Sequence, residues 1–450
     1  MLERARIFCN PSDPSKLPRR LFWIAFLVRI LYITLAHTYR VRLAEDHFQF
    51  GWEAGRIARA LVTGHGYSDP FSNAYIAHTG ATAWLPPLYP LLLAAIFRTF
   101  GIYSHASAFA LFTIQSAFSA ATALATYEIA ARCFNHKVAL WSAWIWALHP
   151  GAMQYAVRWP WEMSITTALF AFTLVLALRL HNIEAEPPTL QTSNLKSRTS
   201  QWLLFGLLWG LIALLNSTLL IFLPVCGLWI LIPTSGAPFM QSHRTSGITL
   251  LGPSLVALIF LACVAPWTMR NWQAFHTFIP LRGNLGAELY MGNGPGSNGL
   301  LMEYDHPMQA PDQLRLYASL GEVRYVAMRG AAARAYIAAD PAHFVADVAR
   351  RVYFYWISVP QAGDVRWFVG AGRTLNFAFI SLAGILGLAL ALHRRIPVAG
   401  LFAWAILLLP LPYYLITAHA RFRHPLEPLL CVFGVYLFQS ATRTRFEQKP

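Results

Sequence analysis

The sequence predicts an all-α polytopic membrane protein, and three observations carry that reading. Hydrophobic residues make up 56% of the 450 residues and charged residues only 12%, about half the charged share usual in a soluble domain. The apolar residues fall in long runs, ten of which approach the ~20 residues needed to cross a bilayer. Basic residues outnumber acidic ones, 35 to 20, and the four lysines (Lys16, Lys137, Lys196, Lys449) lie outside those runs, in short polar segments that read as cytoplasmic loops. A soluble chain this apolar would expose large hydrophobic patches, and disorder needs low hydrophobicity. The surplus positive charge fits no nucleic-acid-binding module, so no nucleic-acid partner is expected.

The first twenty residues are polar and basic, and the apolar run after them has no clear small-residue cleavage site. They predict an uncleaved anchor with a cytoplasmic N-terminus, in a multi-pass membrane protein. The expected spans are Leu21–His37, Ala106–Ala131, Val138–Val157, Glu162–Leu180, Trp202–Leu215, Leu219–Ile232, Ile248–Trp267, Leu375–Leu392, Ile396–Leu415 and Leu426–Phe438. Pro87–Phe100 is shorter, opens with prolines and carries Arg98. If it crossed, most later basic loops would face outward. The positive-inside rule therefore makes it a juxtamembrane or re-entrant helix on the outer face. Arg29 lies inside the first run, where an ionisable group is costly; Glu128 or Glu162 is its expected partner.

Three regions follow: a core of residues 1–270 with a first outer loop at 39–104, an outer segment at 271–373, and C-terminal spans at 374–450. The outer segment balances eight arginines against eight acidic residues between Asn271 and Gly372. Within it, Gln313–Ala339 reads as helix, and Asp340–Pro341 breaks it before a second helix to about Trp356. Cys9, Cys133, Cys226, Cys263 and Cys431 include no CxxC pair, so neither a disulfide framework nor a zinc site is expected.

Chemistry concentrates in the first outer loop. Glu45, Asp46, His47, Glu53, Arg56 and Arg59 crowd the approach to a helix that runs from Trp52 to a stop at Gly64. At a membrane boundary, desolvation raises the pKa of Asp46 and favours a base role, while the arginines oppose it. Solvated interfacial charge at a helix start accounts for the same residues. Trp84 and Tyr89 suit either an interfacial belt or a sugar-stacking face. Arg270 ends an outward-going span, and Arg421, Arg423 and His424 share a short outer loop, against the positive-inside bias. Guanidinium matches phosphate by paired hydrogen bonds; snorkelling at helix ends is the alternative.

Asp46-His47-Phe48-Gln49-Phe50-Gly51 resembles the Asp-Glu-x-x-Phe-Gly stretch of protein O-mannosyltransferases. Leu85-Pro86-Pro87-Leu88 is similar to their His-Pro-Pro-Leu and to the Lys-Pro-Pro-Leu of aminoarabinose transferases. Pro266-Trp267-Thr268-Met269-Arg270-Asn271, Gly292-Asn293 and Ala420-Arg421-Phe422-Arg423-His424-Pro425 look like pieces of bacterial family-39-type glycosyltransferases, in the same order along most of the chain. The resemblance implies a GT-C fold, a polyprenyl-phosphate sugar donor, catalysis at the outer face of a bacterial inner membrane, and a base or acceptor-orienting role for Asp46. Two departures matter. His47 replaces the second acid, so Glu45 or Glu53 takes its place or nothing does. Leu85 stands where relatives carry a His or Lys, so the phosphate contact falls to Arg270, Arg421 or Arg423.

The expected function is thus inverting sugar transfer to a lipid, glycan or protein hydroxyl, with Asp46 and Glu53 catalytic, His47, Arg56, Trp84, Tyr89, Arg270, Arg421, Arg423 and His424 binding substrate, and no metal or cofactor. A transporter or lipid flippase is the alternative, but it needs polar residues along several spans. A non-catalytic scaffold docking through 271–373 is another. Gly294-Pro295-Gly296-Ser297-Asn298-Gly299 fits a dinucleotide pattern without the helix that pattern requires. Asn216-Ser217-Thr218 fits a glycosylation sequon at a tight turn.

Overall fold

The computed structural model describes residues 17–41, 50–183, 197–232, 251–359 and 367–440. Among them the elements are helical; the one β-pairing is an isolated bridge between Ser68 and Ala81. In order the helices are α1 (Leu17–Leu35), α2 (Glu53–Val62), α3 (Leu88–Phe100), α4 (His105–Cys133), α5 (His136–Leu148), α6 (Pro150–Val157), α7 (Met163–Leu180), α8 (Arg198–Ala213), α9 (Leu223–Leu231), α10 (Leu251–Phe275), α11 (Leu285–Asn293), α12 (Pro311–Leu320), α13 (Glu322–Ala339), α14 (Pro341–Trp356), α15 (Trp367–His393), α16 (Ala399–Leu408), α17 (Leu411–Leu415) and α18 (Glu427–Phe438).

Among the described residues four helices are long and apolar enough to cross a membrane: α4, α7, α10 and α15. The other six expected spans form helices that fall short of that measure. Pro150 splits Val138–Val157 into α5 and α6, and Pro410 splits Ile396–Leu415 into α16 and α17, because proline removes an amide donor and crowds the preceding turn. Three arginines interrupt the composition of α1. Ser217–Phe222 is 3-10 helix ahead of α9.

The longest helix, α4, forms the centre of the bundle, against α1, α5, α6 and α7. The Ser104 hydroxyl caps it, accepting from the Ser107 amide at 3.0 Å. Its Ala, Ser and Thr positions let neighbouring helices approach closely, as apolar bundles require. Arg29 is paired with neither Glu128 nor Glu162, contrary to expectation. It donates to Ser119 Oγ at 3.1 Å and to the Ala25 and Ala147 carbonyls at 2.9 Å each. Glu128 instead meets Arg132 at 3.2 Å and Arg179 at 3.7 Å. Of the cysteines, Cys133, Cys226, Cys263 and Cys431 are unpaired thiols.

Basic groups collect at one end of the bundle. Arg132 and Arg179 share Glu128, and Arg198 reaches the Leu180 carbonyl. Phe134 stacks on Tyr436 at 4.2 Å, whose hydroxyl accepts from Arg394. The outer segments lie at the opposite end, where α3 stays on one side. Its start is tied there by the Leu88 amide to the Leu214 carbonyl, and its end turns through Gly101 into α4.

The break at Asp340–Pro341 falls where expected, with Asp340 Oδ1 capping α14. A second break, at Gly321, divides the expected Gln313–Ala339 helix into α12 and α13. The two outer regions share one apolar core, in which Phe71 and Trp84 of the first pack among Ala287, Met291, Leu314 and Tyr317 of the second. Glu322 pins the junction: its carboxylate accepts from Thr82 Oγ1, from the Ala83 amide at 2.7 Å and from the Tyr317 hydroxyl at 2.8 Å. Glu322→Ala leaves three buried donors unpaired and is expected to cost about 2–4 kcal/mol, read as denaturant unfolding in detergent. A change indistinguishable from wild type would show that the junction tolerates loss of these bonds.

Candidate active site

At the end of the bundle that carries the outer segments, four stretches distant in sequence converge. The first is the turn entering α2. Phe50, Gly51 and Trp52 all have positive φ, at 64°, 84° and 56°. Two of these are not glycine, and such residues cost of order 1–3 kcal/mol each unless their surroundings hold them. Phe50 is held by Phe97 and Tyr103, with ring centroids 5.1 and 5.6 Å away. Gly51 is required: a Cβ there would lie 2.5 Å from the Pro160 carbonyl oxygen. The close approach sets Glu53, the first residue of α2, beside the second stretch, Trp159–Glu162.

In that second stretch Trp159 and Trp161 stack at 4.9 Å with 26° between their planes. Gln115 on α4 donates to the Trp161 carbonyl and reaches the Tyr89 hydroxyl at 3.4 Å. Glu162 follows immediately, ahead of α7. The third stretch precedes the 3-10 turn Ala420–Leu426. His419 caps it, Nδ1 accepting from the Arg421 amide at 3.2 Å. Burial, then the Arg421 charge, pushes His419 down to about 3, so it is neutral at physiological pH. The Arg421 guanidinium stands 3.9 Å above the Trp161 ring centroid, a cation–π arrangement that leaves its edge donors for a ligand.

The fourth stretch is the outer segment, with His306 and Arg282. His306 Nε2 lies 3.1 Å from Glu53 Oε1. The Met308 amide donates to Nδ1 at 3.1 Å, which makes Nε2 the proton-bearing nitrogen facing Glu53. Burial alone would raise the Glu53 carboxyl, but the His306 hydrogen bond and the Arg421 charge outweigh it and hold the group below the usual carboxylate range. Glu53 is therefore an ionised, fixed charge. Burial, reinforced by the Glu53 charge and only partly offset by Arg421 and Arg282, holds the Glu162 carboxyl above the usual carboxylate range. Two carboxyl groups and two guanidiniums thus act on one another at one aromatic-walled site. Among the described residues, no group of three or more His, Cys, Asp or Glu side chains is placed to share a metal ion.

The residues expected from sequence separate into three sets. Asp46 and His47 lie outside the described residues. Glu53, Arg421 and Tyr89 are at this site. The others bond to partners elsewhere in the structure. Arg270 donates to the Tyr67 and Thr82 carbonyls (2.5 and 2.6 Å) among the Tyr67, Trp267 and Phe275 rings, so it ties the first outer loop to the end of α10. Arg56 donates to the Ser72 and Trp52 carbonyls. Trp84 is 1% exposed and sits in the outer core. Arg423 and His424 are fully buried against Glu427, at 3.2 and 2.6 Å. Sequence reading missed Arg282 as a site residue and took Glu162 for a partner of Arg29. A carboxylate at the outer end of an apolar run is the signal that marks Glu162.

Ser297, His343 and Asp347 also meet, but not as a nucleophilic triad. His343 Nε2 lies 2.9 Å from the Ser297 carbonyl oxygen, so it carries a proton and cannot take the one from Ser297 Oγ, which goes to Asp347 Oδ2 at 2.6 Å.

No protein-family model matches the chain, and no curated protein matches it. Solved structures do. The apo crystal structure of the Archaeoglobus fulgidus oligosaccharyltransferase is similar at a TM-score of 0.52 and 15% identity, covering 96% of this chain and 51% of that one. The same protein tethered to an acceptor peptide gives 0.49 at 15% identity, over 95% and 50%. ArnT from Cupriavidus metallidurans bound to undecaprenyl phosphate gives 0.36 at 12% identity, over 92% and 77%. The chain spans about half the length of the archaeal oligosaccharyltransferase. The first of these likenesses shows a shared fold, and the fold is GT-C, as the resemblance in sequence implied.

Proposed function

We propose that this protein is a membrane glycosyltransferase that moves a sugar from a polyprenyl-phosphate carrier to an acceptor hydroxyl at the outer face of a bacterial inner membrane, its N-terminus in the cytoplasm. A fold alone does not assign an activity. The observation that carries the reading is the Arg421 guanidinium, stacked on Trp161 and near enough to Glu53 and Glu162 for its charge to act on both carboxyl groups. Such a site supplies a cation for a leaving phosphate and, in Glu53, an anion for a sugar that becomes positive.

In the proposed reaction the acceptor oxygen attacks the anomeric carbon from the face opposite the phosphate. The new C–O bond forms as the carbon–phosphate oxygen bond breaks, and the configuration inverts. Asp46 takes the hydroxyl proton. The electron pair of the broken bond leaves on the lipid phosphate, where Arg421, supported by Arg282, offsets the growing charge. The ionised Glu53 favours the oxocarbenium character of the transition state. The Trp159–Trp161 stack offers a flat face to the sugar ring.

The test uses full-length purified protein in vesicles with a panel of polyprenyl-phosphate sugars and lipid, glycan and peptide acceptors, products read by mass. Transfer from one donor class is expected. Solute uptake or lipid translocation with no transfer from any donor would replace the reading with a transporter. A second expectation concerns pH. His306→Ala leaves burial of Glu53 less opposed, so Glu53 takes its proton at higher pH. The acid limb of the transfer–pH profile should move to higher pH; an unmoved limb would assign it to a different group.

A further inference from the structure

Arg351, on α14, is fully buried, yet the carboxylate facing it is distant. Asp347 lies 4.0 Å away and is engaged by Arg350 at 2.9 Å and Ser297 at 2.6 Å. The Arg351 guanidinium instead donates to oxygens of two other segments. On the glycine-rich stretch it reaches the Gly292 carbonyl, Asn293 Oδ1 at 2.9 Å and the Gly299 carbonyl at 3.2 Å. In the last turn of α17 it reaches the Tyr414 and Leu415 carbonyls at 3.3 Å each. Asn293 Nδ2 adds a bond to the same Leu415 oxygen at 3.0 Å. Gly292 presses against the next residue, since a Cβ there would run into the Ile416 carbonyl oxygen. Burying a guanidinium this way is costly unless its donors are satisfied, and here they are spent on joining pieces of chain. Residues 414–416 lead directly to His419 and Arg421.

We propose that Arg351 is a positioning residue: with Asn293 and Gly292 it fixes residues 414–416 to the outer segment and so sets where the Arg421 guanidinium stands over Trp161. The functional part of this rests on the reading that Arg421 faces the leaving phosphate; the positional part does not. The outer segment would thereby act on the reaction at a distance, because a misplacement of ~1 Å at a reacting group can cost about 100-fold in rate.

The experiment reads position and activity separately. Ala420→Cys reports the loop by labelling with a water-soluble maleimide, with buried Cys431 in the same protein as the control for opening of the bundle. Arg351→Met is expected to raise labelling at position 420 severalfold with Cys431 still protected, and to lower transfer by about 100-fold. Arg351→Lys keeps the charge without the planar fork and should recover only part of both. Asn293→Ala removes the bridge to Leu415 and one acceptor of Arg351 but leaves the guanidinium's bonds to the Tyr414 and Leu415 carbonyls; it should shift both readouts less in the same direction, and carries the test if Arg351→Met does not fold. Unchanged labelling in both variants, or equal labelling of Cys431, overturns the proposal. Raised labelling in a protein whose wild type transfers no sugar overturns the functional reading and leaves the positioning role standing.

Discussion

Asp46→Asn is expected to lower sugar transfer by about 10²–10⁴-fold, the range for loss of a general base, with expression and membrane insertion unchanged. The argument runs through its neighbour. Glu53 is held below the usual carboxylate range by His306 and Arg421 against the effect of burial, and a carboxylate so stabilised is a weak proton acceptor. Its role is a standing negative charge. In the proposed mechanism the proton goes to Asp46, seven residues earlier in the sequence. Glu53→Gln should therefore cost less than Asp46→Asn, and its loss should appear without a change in how activity depends on acceptor acidity. Initial rates of transfer in vesicles check both. A fully active Asp46→Asn beside an inactive Glu53→Gln would reverse the two roles while keeping the reaction class.

Arg421→Ala should reduce transfer by about 10²–10³-fold, as removal of one preorganised charge-stabilising donor does. Because the phosphate gains charge as the bond breaks, the loss should fall mainly on kcat, with a smaller change in the KM for donor. Arg421→Lys keeps the charge but loses the planar face that lies 3.9 Å above Trp161 and the paired donors that match phosphate, so it should recover only part of the activity. Arg282→Ala is the comparison. Arg282 is tied to Glu288 at 2.9 Å and to the Trp84 carbonyl at 3.1 Å, and its charge reaches Glu162. If Arg282→Ala is inactive while Arg421→Ala is not, the phosphate belongs to Arg282.

Much of this architecture can be read from the sequence because membrane-scale patterns are local. Apolar runs mark α4, α7, α10 and α15, and Asp340–Pro341 marks the start of α14. The distribution of basic residues anticipates that Arg132, Arg179, Arg198 and Arg394 share one end and that α3 stays at the other. What sequence cannot separate is which boundary arginines face a ligand. Arg270, Arg421 and Arg423 all sit at the right depth. Their directions depend on partners elsewhere in the chain: Tyr67 and Thr82 carbonyls claim Arg270, Glu427 claims Arg423, and Trp161 presents Arg421 to the site. Glu162 was visible as an acid at a span boundary, but its neighbourhood with Glu53 comes from the Gly51–Pro160 contact, which no local pattern encodes.

The shared core of the outer regions has a consequence for biogenesis. Thr82 and Ala83 find their acceptor on Glu322, about 240 positions downstream. At roughly 5–20 residues per second, a ribosome takes on the order of 10–50 seconds to supply it. In the proposed topology Phe71 and Trp84 spend that interval on the outer face without the surface that covers them. A chaperone on the export side, or transient shelter in the lipid headgroups, has to bridge the delay, and truncations ending before α12 should be cleared by proteases rather than accumulate.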